Sequence, residues 1–286
     1  MANDSGLVSV YMPTRNRAEL ACKAIDSVLR QSYKNIEIVV IDDGSDADQF
    51  AKLSRYIFNK KNNFDIKIHR NEESKGAPVA RNLAIKLSQG EYITGIDDDD
   101  EWADNRVENF MSAAKKFGNA TPFYSDDYFV NSNGDCLKKW RKPKTIKLED
   151  MLLENKVGNQ VFAYKDIWNA VSGFDEKLKV CQDYDMWWRM LCISGVFRNV
   201  GSSEQYILIQ GADRISRNRK HFHYFSFYRK HRDELSREQR YAHLMILNFS
   251  FKSMLLKNWF PALILVNPRT ALRMIKKQVK QEWFII

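Results

Sequence analysis

The sequence predicts an α/β fold, with a mixed, mostly parallel β-sheet flanked by helices and followed by a C-terminal helical extension. Short apolar runs rich in β-branched residues alternate with segments of helical spacing over the first two-thirds of the 286 residues. Such alternation is typical of βαβ units, which build parallel sheets. The run at 36–41 is apolar except for Glu37, as expected for a strand that helices cover on both faces.

Each predicted element follows from its local pattern. Helix 17–31 has apolar residues at helical spacing, at Leu20, Ala24 and Val28. The pair Asn133-Gly134 predicts a tight turn inside a hairpin that spans 123–140. The predicted strands are 7–12, 36–41, 66–69 and 91–96, and the remaining predicted helices are 47–59, 76–88 and 103–116.

Charge divides the chain into two regions. The whole chain has a net charge of +9, and sixteen Lys or Arg but only four Asp or Glu lie between Arg214 and Ile286. We therefore expect an α/β domain at 1–213 and a basic, amphipathic helical region at 214–286. Such asymmetry indicates an anionic partner, either a membrane surface or a nucleic acid.

The basic region also carries large apolar side chains. Apolar residues recur at helical spacing within 244–256, and 271–279 alternates apolar and basic residues. Helices of this composition lie in the headgroup layer of anionic membranes, which favours peripheral membrane binding. A nucleic-acid-binding protein would instead interleave aromatic and basic residues on a sheet face. The alternative is a helical subdomain that packs on the body or on a second subunit of a homodimer.

Several classes of protein and site are disfavoured by the sequence. The four cysteines show no CxxC spacing, which argues against a zinc site or a disulfide framework. The amino terminus has no signal-peptide pattern, and no apolar stretch reaches the roughly 20 residues that span a bilayer. Neither GxGxxG nor GxxxxGK[ST] occurs, which argues against an ordinary dinucleotide site and a P-loop ATPase.

The most informative motif is a run of four aspartates at 97–100, here called the acidic run, directly after a predicted strand. Adjacent carboxylates repel one another, and a hard divalent cation relieves the repulsion while binding substrate phosphates. The loops at 13–17 and 42–45 follow two other strands, and ligands bind where the carboxyl ends of parallel strands meet. The sequence therefore predicts a site for Mn²⁺ or Mg²⁺ and phosphate at this edge. The alternative is a solvated acidic loop.

Six segments in order resemble family 2 glycosyltransferases with the GT-A fold, over residues 7 to about 216. They are VSVYMPTRNR, VVIDDGSD, GAPVARNLAI, GEYITGIDDDDEW, VSGFDE and QDYDMWWR. The resemblance implies a Rossmann-like catalytic domain at 1–213, with a nucleotide-sugar half at about 1–120 and an acceptor half at about 121–213. Ser172 and Gln182 depart from the family's pattern, which has glycine and glutamate there.

The resemblance implies roles for the carboxylates of the first half. Asp43, or alternatively Asp42, would bind the uracil ring of a UDP-sugar. Within the acidic run, Asp97 would lie near the ribose and Asp99 would be the main metal ligand. The run of four leaves the register open by one residue, so that Asp98 is the alternative ligand.

Asp183 matches the catalytic base of the family. Asp100, Trp102 and Trp187 are candidates for acceptor contacts. The alternative for Asp100 is a position behind the metal ligand, and the alternative for both tryptophans is a core position. The remaining residues implied in nucleotide-sugar binding are Pro13, Thr14, Asn16, Arg81, Asn82 and Arg214, the last as a diphosphate clamp.

The implied reaction is an inverting transfer of a hexose (glucose, galactose or N-acetylhexosamine) from a UDP-sugar. One carboxylate removes the proton of the attacking hydroxyl, and a divalent cation stabilises the leaving diphosphate. The implied acceptor is a glycan or an undecaprenyl-diphosphate-linked sugar, in O-antigen, lipopolysaccharide or capsule synthesis. The enzyme would act at the cytoplasmic side of the bacterial inner membrane.

Two other functions remain open from the sequence. One is a nucleotidyltransferase that makes a sugar nucleotide, which would need a glycine-rich phosphate loop near the amino terminus. The loop at 13–17 has arginines but no glycine. The other is a basic nucleic-acid-binding protein, which the charge of the C-terminal region favours.

Overall fold

The computed structural model describes residues 6–151, 154–178, 180–201, 204–209, 220–241 and 243. The strands are β1 (Val8–Thr14), β2 (Ile36–Asp43), β3 (Asp65–Asn71), β4 (Tyr92–Gly95), β5 (Asp100–Trp102), β6 (Phe123–Tyr124), β7 (Asp127–Val130), β8 (Cys136–Trp140), β9 (Thr145–Ile146), β10 (Ala163–Tyr164), β11 (Phe197–Asn199) and β12 (Gln205–Leu208). The helices are α1 (Ala18–Leu29), α2 (Ala47–Lys60), α3 (Ala77–Leu87), α4 (Arg106–Phe117), α5 (Lys165–Ala170), α6 (Gln182–Ser194) and α7 (Lys220–His231).

The central sheet has the strand order β10-β4-β1-β2-β3. Strands β4, β1, β2 and β3 run parallel, and β10 pairs antiparallel with β4 at the edge. This arrangement confirms the predicted α/β class with a mostly parallel sheet. It also confirms the first four predicted strands, with bounds that differ by one or two residues.

Both faces of the central strands are covered. Val10 and Val40 pack in a core with side chains of α1, α2 and α4. Tyr11 and Val39 point to the opposite face because side chains alternate along a strand, and both are also fully buried. Helix α3 packs against β1 and β2. Continuous burial explains why β2 lacks the polar alternation of a half-exposed strand.

The predicted hairpin at 123–140 is only partly correct. Strands β7 and β8 pair antiparallel around the Asn-Gly turn, as expected. Strand β6, however, pairs parallel with β11 in a separate sheet of order β6-β11-β9. The chain changes direction at Asp126, whose carboxylate accepts hydrogen bonds from the Lys142 backbone N–H at 3.0 Å and from Asn199 at 2.7 Å.

Helix α4 begins at Arg106, three residues later than expected, because a short strand precedes it. Strand β5 pairs antiparallel with β12, in a sheet of order β5-β12-β7-β8. The Ala103 N–H then donates a 3.1 Å hydrogen bond to Glu204 O. The last aspartate of the acidic run is therefore the first residue of a strand rather than part of a loop.

The chain divides into two compact units, one of Met1–Leu148 and Asn155–Gly211 and another of Glu149–Glu154 and Ala212–Ile286. In the second unit, the Phe227 ring lies 4.6 Å from the His231 ring and 5.4 Å from the His243 ring, measured between centres. The predicted helical segments at 244–256 and 271–279 lie outside the described residues. None of the helices in the described ranges is long and apolar enough to span a bilayer.

Candidate active site

The carboxyl ends of β1, β2 and β4 meet at one edge of the central sheet. Strand β1 ends at Thr14, which pairs with Asp42 of β2, and β4 ends at Gly95, just before the acidic run. Thr14 Oγ1 donates a 2.7 Å hydrogen bond to Asp98 Oδ2. The loop after β4 is thereby fixed to the end of β1, and the three predicted segments lie together.

One guanidinium group contacts two carboxylates of the acidic run. Arg17 Nη1 lies 3.1 Å from Asp98 Oδ1 and 3.0 Å from Asp99 Oδ2. Asp98 is buried, whereas 33% of the Asp99 side chain is exposed. Burial raises the pKa of Asp98 to about 6, although the hydrogen bond from Thr14 and the charge of Arg17 lower it, and the charges of Asp99 and Asp97 add smaller increases. Desolvation therefore outweighs the effect of the cationic partner at this carboxylate.

These carboxylates fit a hard divalent cation. Oxygens of Asp98 and Asp99 already converge on one positively charged nitrogen, within 3.1 Å of each. Mg²⁺ and Mn²⁺ are often held by one or two carboxylates together with the phosphates of a substrate. Within the described residues, no group of three or more His, Cys, Asp or Glu could hold a metal ion. Oxygens of the substrate would therefore have to complete the coordination.

Asp97 has a different set of partners from its neighbours. Its Oδ1 accepts hydrogen bonds from Arg81 Nη2 at 2.8 Å and from Gln160 Nε2 at 3.2 Å. Its Oδ2 accepts a hydrogen bond from Asn159 Nδ2 at 3.0 Å. Both oxygens are thus held by side chains from α3 and from the loop that precedes β10.

Close packing beside Asp97 requires a glycine at position 95. Tyr11 OH donates a 2.9 Å hydrogen bond to Gln160 Oε1 across the carboxyl end of β4. A Cβ atom on Gly95 would lie 2.2 Å from the Tyr11 ring and 2.3 Å from Gln160 Oε1. Any larger residue would therefore push this loop away from the sheet edge.

The candidates for acceptor contacts lie in a packed interior. Asp100 is 2% exposed, and its Oδ2 accepts hydrogen bonds from Asn159 at 2.9 Å and Gln205 at 2.5 Å. Trp102 and Trp187 are 1% and 0% exposed. A sugar could stack on either ring only if that ring left the core. These positions give no support to acceptor contacts and favour the alternative that both tryptophans are core residues.

Asp43 is saturated with hydrogen bonds from the protein itself. Its Oδ1 accepts from Asn71 Nδ2 at 2.8 Å and the Lys75 N–H at 2.9 Å. Its Oδ2 accepts from Ser74 Oγ and the Gly76 N–H, both at 2.8 Å. Burial opposes ionisation most strongly, yet these four donors keep the pKa of Asp43 below its ordinary value. A uracil N–H would have to displace one of them.

The loops after β1 and β2 are joined to each other. The Asn16 N–H donates to Ser45 Oγ at 2.8 Å, and Asn16 Oδ1 accepts from the Asp46 N–H at 2.7 Å. Asp42 is 1% exposed, and its Oδ1 accepts from the Ser45 N–H at 2.9 Å. Pro13 is buried within β1. These contacts set the shape of the predicted nucleotide edge.

Asn82 is used within the fold. Its Nδ2 donates to Phe174 O at 2.8 Å and Glu176 Oε1 at 3.0 Å, and its Oδ1 accepts from the Phe174 N–H at 2.7 Å. The side chain therefore fixes the loop before α6 to α3. Its role as a nucleotide contact gains no support from these bonds.

The predicted base lies in the first turn of α6. Asp183 is partly exposed, and its Oδ2 accepts a 2.9 Å hydrogen bond from Asn155 Nδ2. Burial raises the pKa of Asp183, while the Tyr184 N–H, the charge of Arg81 and the Asn155 side chain oppose the increase. A carboxylate with a raised pKa is better suited to accept a proton near neutral pH. Arg81 therefore influences Asp183 while it binds Asp97.

Sequence reasoning missed several residues of this edge. Arg17 stood inside the first loop motif but was given no role. The amides lie in an irregular loop and on a short strand, where no periodic pattern marks a position as functional. The missed residues are Arg17, Asn155, Asn159, Gln160 and Gln205. Arg214, the predicted diphosphate clamp, lies outside the described residues.

Comparison with known proteins gives the family. Residues 9–164 match the model of glycosyl transferase family 2. The chain is 39% identical over 249 residues to the putative colanic acid biosynthesis glycosyl transferase WcaA of Escherichia coli K12, covering 84% of this chain and 87% of that protein. It is 33% identical over 155 residues to the UDP-Glc:alpha-D-GlcNAc-diphosphoundecaprenol beta-1,3-glucosyltransferase WfgD of Escherichia coli, covering 54% of this chain and 58% of that protein.

The fold also has solved counterparts. The crystal structure of S. aureus TarS 1-349 in complex with UDP-GlcNAc superposes with a TM-score of 0.65 at 17% identity, covering 92% of this chain and 82% of that one. This likeness confirms the GT-A fold implied by the sequence motifs. Because the family model covers more than half of the chain, and WcaA is similar over most of it, the protein belongs to glycosyl transferase family 2 and is a glycosyltransferase.

Proposed function

We propose that this glycosyltransferase moves a hexose, namely glucose, galactose or an N-acetylhexosamine, from a UDP-sugar to a hydroxyl of a glycan or an undecaprenyl-diphosphate-linked acceptor. The related TarS structure contains UDP-GlcNAc, and WfgD is named for a UDP-Glc donor and a diphosphoundecaprenol acceptor. WcaA is named for colanic acid biosynthesis. These relatives support a role in a bacterial surface polysaccharide, such as O-antigen, lipopolysaccharide or capsule.

The observation that carries this proposal is the convergence of carboxylates at the carboxyl edge of the sheet. Asp98 and Asp99 share one cationic partner. Arg81 binds Asp97 at 2.8 Å, and its charge also acts on Asp183. In this proposal, the carboxylates that would bind the diphosphate through a cation and the carboxylate that would remove the proton both interact with one arginine. An inverting transfer needs both functions close together but carried by separate groups.

In the proposed reaction, Asp183 is the single protein base. The acceptor oxygen forms a bond to the anomeric carbon while the bond from that carbon to the UDP oxygen breaks. The proton of the hydroxyl goes to Asp183, and the electron pair of the broken bond leaves with UDP. General-base assistance of this kind contributes about 10² to 10⁴ in rate.

The acidic run would bind the donor in this reaction. Asp99, with Asp98 as the alternative, would hold Mn²⁺ or Mg²⁺, which when bound neutralises the diphosphate as it leaves. Arg17 holds the two carboxylates side by side. Asp97 would face the ribose, and Asp42 or Asp43 the uracil. The proposed donor site also includes Pro13, Thr14, Asn16, Arg81, Asn82 and Arg214.

We place the enzyme at the cytoplasmic side of the bacterial inner membrane, as a peripheral protein. The basic region 214–286 would bind the anionic lipid surface, and the catalytic domain 1–213 would act on the acceptor there. The lipid-linked acceptor in the name of WfgD supports this placement. Packing of the basic region on a second subunit is the alternative.

A donor screen tests the proposed function. The purified protein is incubated with Mn²⁺, a lipid-linked glycan acceptor and one of UDP-glucose, UDP-galactose, UDP-GlcNAc or UDP-GalNAc, and UDP release is measured. We expect acceptor-dependent UDP release with one of these donors, and release at least about a hundredfold slower from the Asp183→Asn variant. Absence of UDP release with every donor, together with pyrophosphate release from UTP and a hexose 1-phosphate, would identify a nucleotidyltransferase and contradict the proposal.

A further inference from the structure

The loop at residues 155–160, here called the amide segment, touches both groups of carboxylates. At one end, Asn155 Nδ2 donates a 2.9 Å hydrogen bond to Asp183 Oδ2. At the other end, Asn159 Nδ2 donates a 3.0 Å hydrogen bond to Asp97 Oδ2. One short loop therefore connects the proposed base to the acidic run.

The amide segment is folded into a turn that is tied to the helix of the base. Asn155 Oδ1 accepts from the Val157 N–H at 3.0 Å and the Gly158 N–H at 3.1 Å. Gly158 O accepts from Asn155 Nδ2 at 2.8 Å and from Trp187 Nε1 at 2.9 Å. Trp187 belongs to α6, so the turn and the helix that carries Asp183 are held together.

A buried ion pair lies beneath the same turn. Lys142 Nζ is 2.7 Å from Asp127 Oδ2, both side chains are 2% exposed, and Lys142 Nζ also donates to Val157 O at 2.7 Å. Gly158 has a φ of +99°, and a Cβ there would lie 2.5 Å from Lys142 Nζ. The turn is thus fixed from below by groups that are expensive to move, since each would leave a buried charge without its partner.

We propose that Asn155 is a positioning residue for the proton transfer, in which the amide segment holds the Asp183 carboxylate in one orientation relative to the acidic run. The inference rests on the proposed function, in which Asp183 is the base. A carboxylate that rotates freely presents its oxygen to the acceptor hydroxyl for only part of the time. A donor on a rigid turn removes that freedom and favours the ionised form that can accept a proton.

The other groups that face Asp183 do not titrate in the range where the base does. Arg81, from α3, remains charged, and its pKa is raised further by Asp97 despite burial. Tyr11, from β1, and Cys181, just before α6, have pKa values raised by burial, so both stay neutral near pH 7. The fall of kcat at low pH, here called the acid limb, therefore reports on the protonation of Asp183, and so does any shift in it.

Two substitutions remove the Asn155 NH₂ group, which donates to both Asp183 Oδ2 and Gly158 O, but they differ in how much of the turn they keep. Asn155→Asp keeps an oxygen that can accept from the Val157 and Gly158 N–H groups, but it loses the donating NH₂ group. Asn155→Ala loses both functions. We expect both variants to lower kcat by about tenfold, with KM for the UDP-sugar changed by less than about twofold. The acid limb of kcat should move about one unit to higher pH, and further for Asn155→Asp, which adds a like charge.

The chain offers a matched control for the loss of a turn. Asn131 Oδ1 accepts from the Asn133 N–H at 3.0 Å and the Asp135 N–H at 2.9 Å, in the hairpin between β7 and β8. Asn131→Ala removes an equivalent turn-forming side chain. We expect it to leave kcat, KM and the pH profile unchanged.

The outcomes distinguish the inference from the proposed function. Wild-type kcat and pH profile in Asn155→Asp would overturn the positioning role, while acceptor-dependent UDP release by the wild type would still support the function. A lower kcat with an unmoved acid limb would also overturn it, because a merely structural loss scales the whole profile. If Asp183→Asn turned over normally, the base assignment itself would fail.

Discussion

The two ends of the central sheet each hold buried carboxylates, but in opposite electrostatic situations. At the amino end, Glu37 is fully buried and is one carboxylate with many donors. Its oxygens accept from Ser9 Oγ, Lys67 Nζ and the Gln89 N–H at 2.5 Å each and from the Gly90 N–H at 3.1 Å. Burial opposes its ionisation, yet these donors keep the pKa of Glu37 below its ordinary value.

At the carboxyl end, carboxylates outnumber their cationic partners. Burial and neighbouring aspartates raise the pKa values of Asp98 and Asp100, although Arg17 and Arg81 contact the acidic run. The amino end, here called the satisfied end because the Glu37 oxygens have donors, stabilises the fold. At the carboxyl end, here called the crowded end, the aspartates still repel one another, and a bound cation with substrate would relieve that repulsion. The proposed function accordingly assigns cation and diphosphate binding to the carboxyl end, where carboxylates outnumber their cationic partners.

The largest expected effect separates turnover from binding at the crowded end. Asp183→Asn keeps the shape of the side chain but removes the proton acceptor, so the rate of transfer should fall by about 10² to 10⁴. UDP binding should remain, because the donor side is untouched. Steady-state UDP release together with calorimetric UDP titration checks both. A near-normal rate would show that another group is the base.

The next effect concerns the satisfied end. Glu37→Gln removes the charge that faces Lys67, and the free energy of unfolding should fall by about 2 to 3 kcal/mol. Asp65→Asn is the matched control, since Asp65 lies 3.8 Å from the same lysine but is 50% exposed. It should change stability by less than about 0.5 kcal/mol. Denaturant unfolding measures the loss of stability in both variants. Equal losses would contradict the claim that the buried Glu37 carboxylate stabilises the fold more than an exposed carboxylate beside the same lysine.

The wild type and Glu37→Gln should also differ in how their stability depends on pH, and the pKa of Glu37 fixes the sign of this difference. The pKa of Glu37 is lower in the folded state than its ordinary value of 4.5, so its ionised form stabilises the fold. The stability advantage of the wild type over Glu37→Gln should be constant above about pH 5 and should shrink as the pH falls below about 4.5. Unfolding titrations across this range check it. An advantage that grew towards low pH would contradict the assigned sign.

The sequence was sufficient for the framework of the site. Largely apolar runs predicted β1, β2 and β4, and the polar residues that follow each strand predicted the shared edge. The acidic run stood out because four adjacent carboxylates are costly without a cation. Local pattern carries this information, since each strand and the loop behind it are contiguous in the chain.

The supporting contacts could not be predicted in the same way. Asn159 of the amide segment donates a hydrogen bond to Asp97, which lies 62 residues earlier in the chain. Gln205 donates to Asp100, which lies 105 residues earlier. Neither has a period or a motif that marks it. The packing of Asp100 into β5 and the four donors around Asp43 also depend on tertiary contacts. A sequence motif identifies a carboxylate, but the fold decides which of its oxygens remain available.

The most direct test of the contrast is a calorimetric titration of UDP with and without Mn²⁺. It compares the wild type, Asp99→Asn and the control Asp104→Asn, which removes an exposed carboxylate outside the acidic run. The account predicts that Mn²⁺ tightens UDP binding at least about tenfold in the wild type and in Asp104→Asn, but not in Asp99→Asn. UDP binding by the wild type that is indifferent to Mn²⁺ would contradict the claim that this crowded edge serves a cation and a diphosphate.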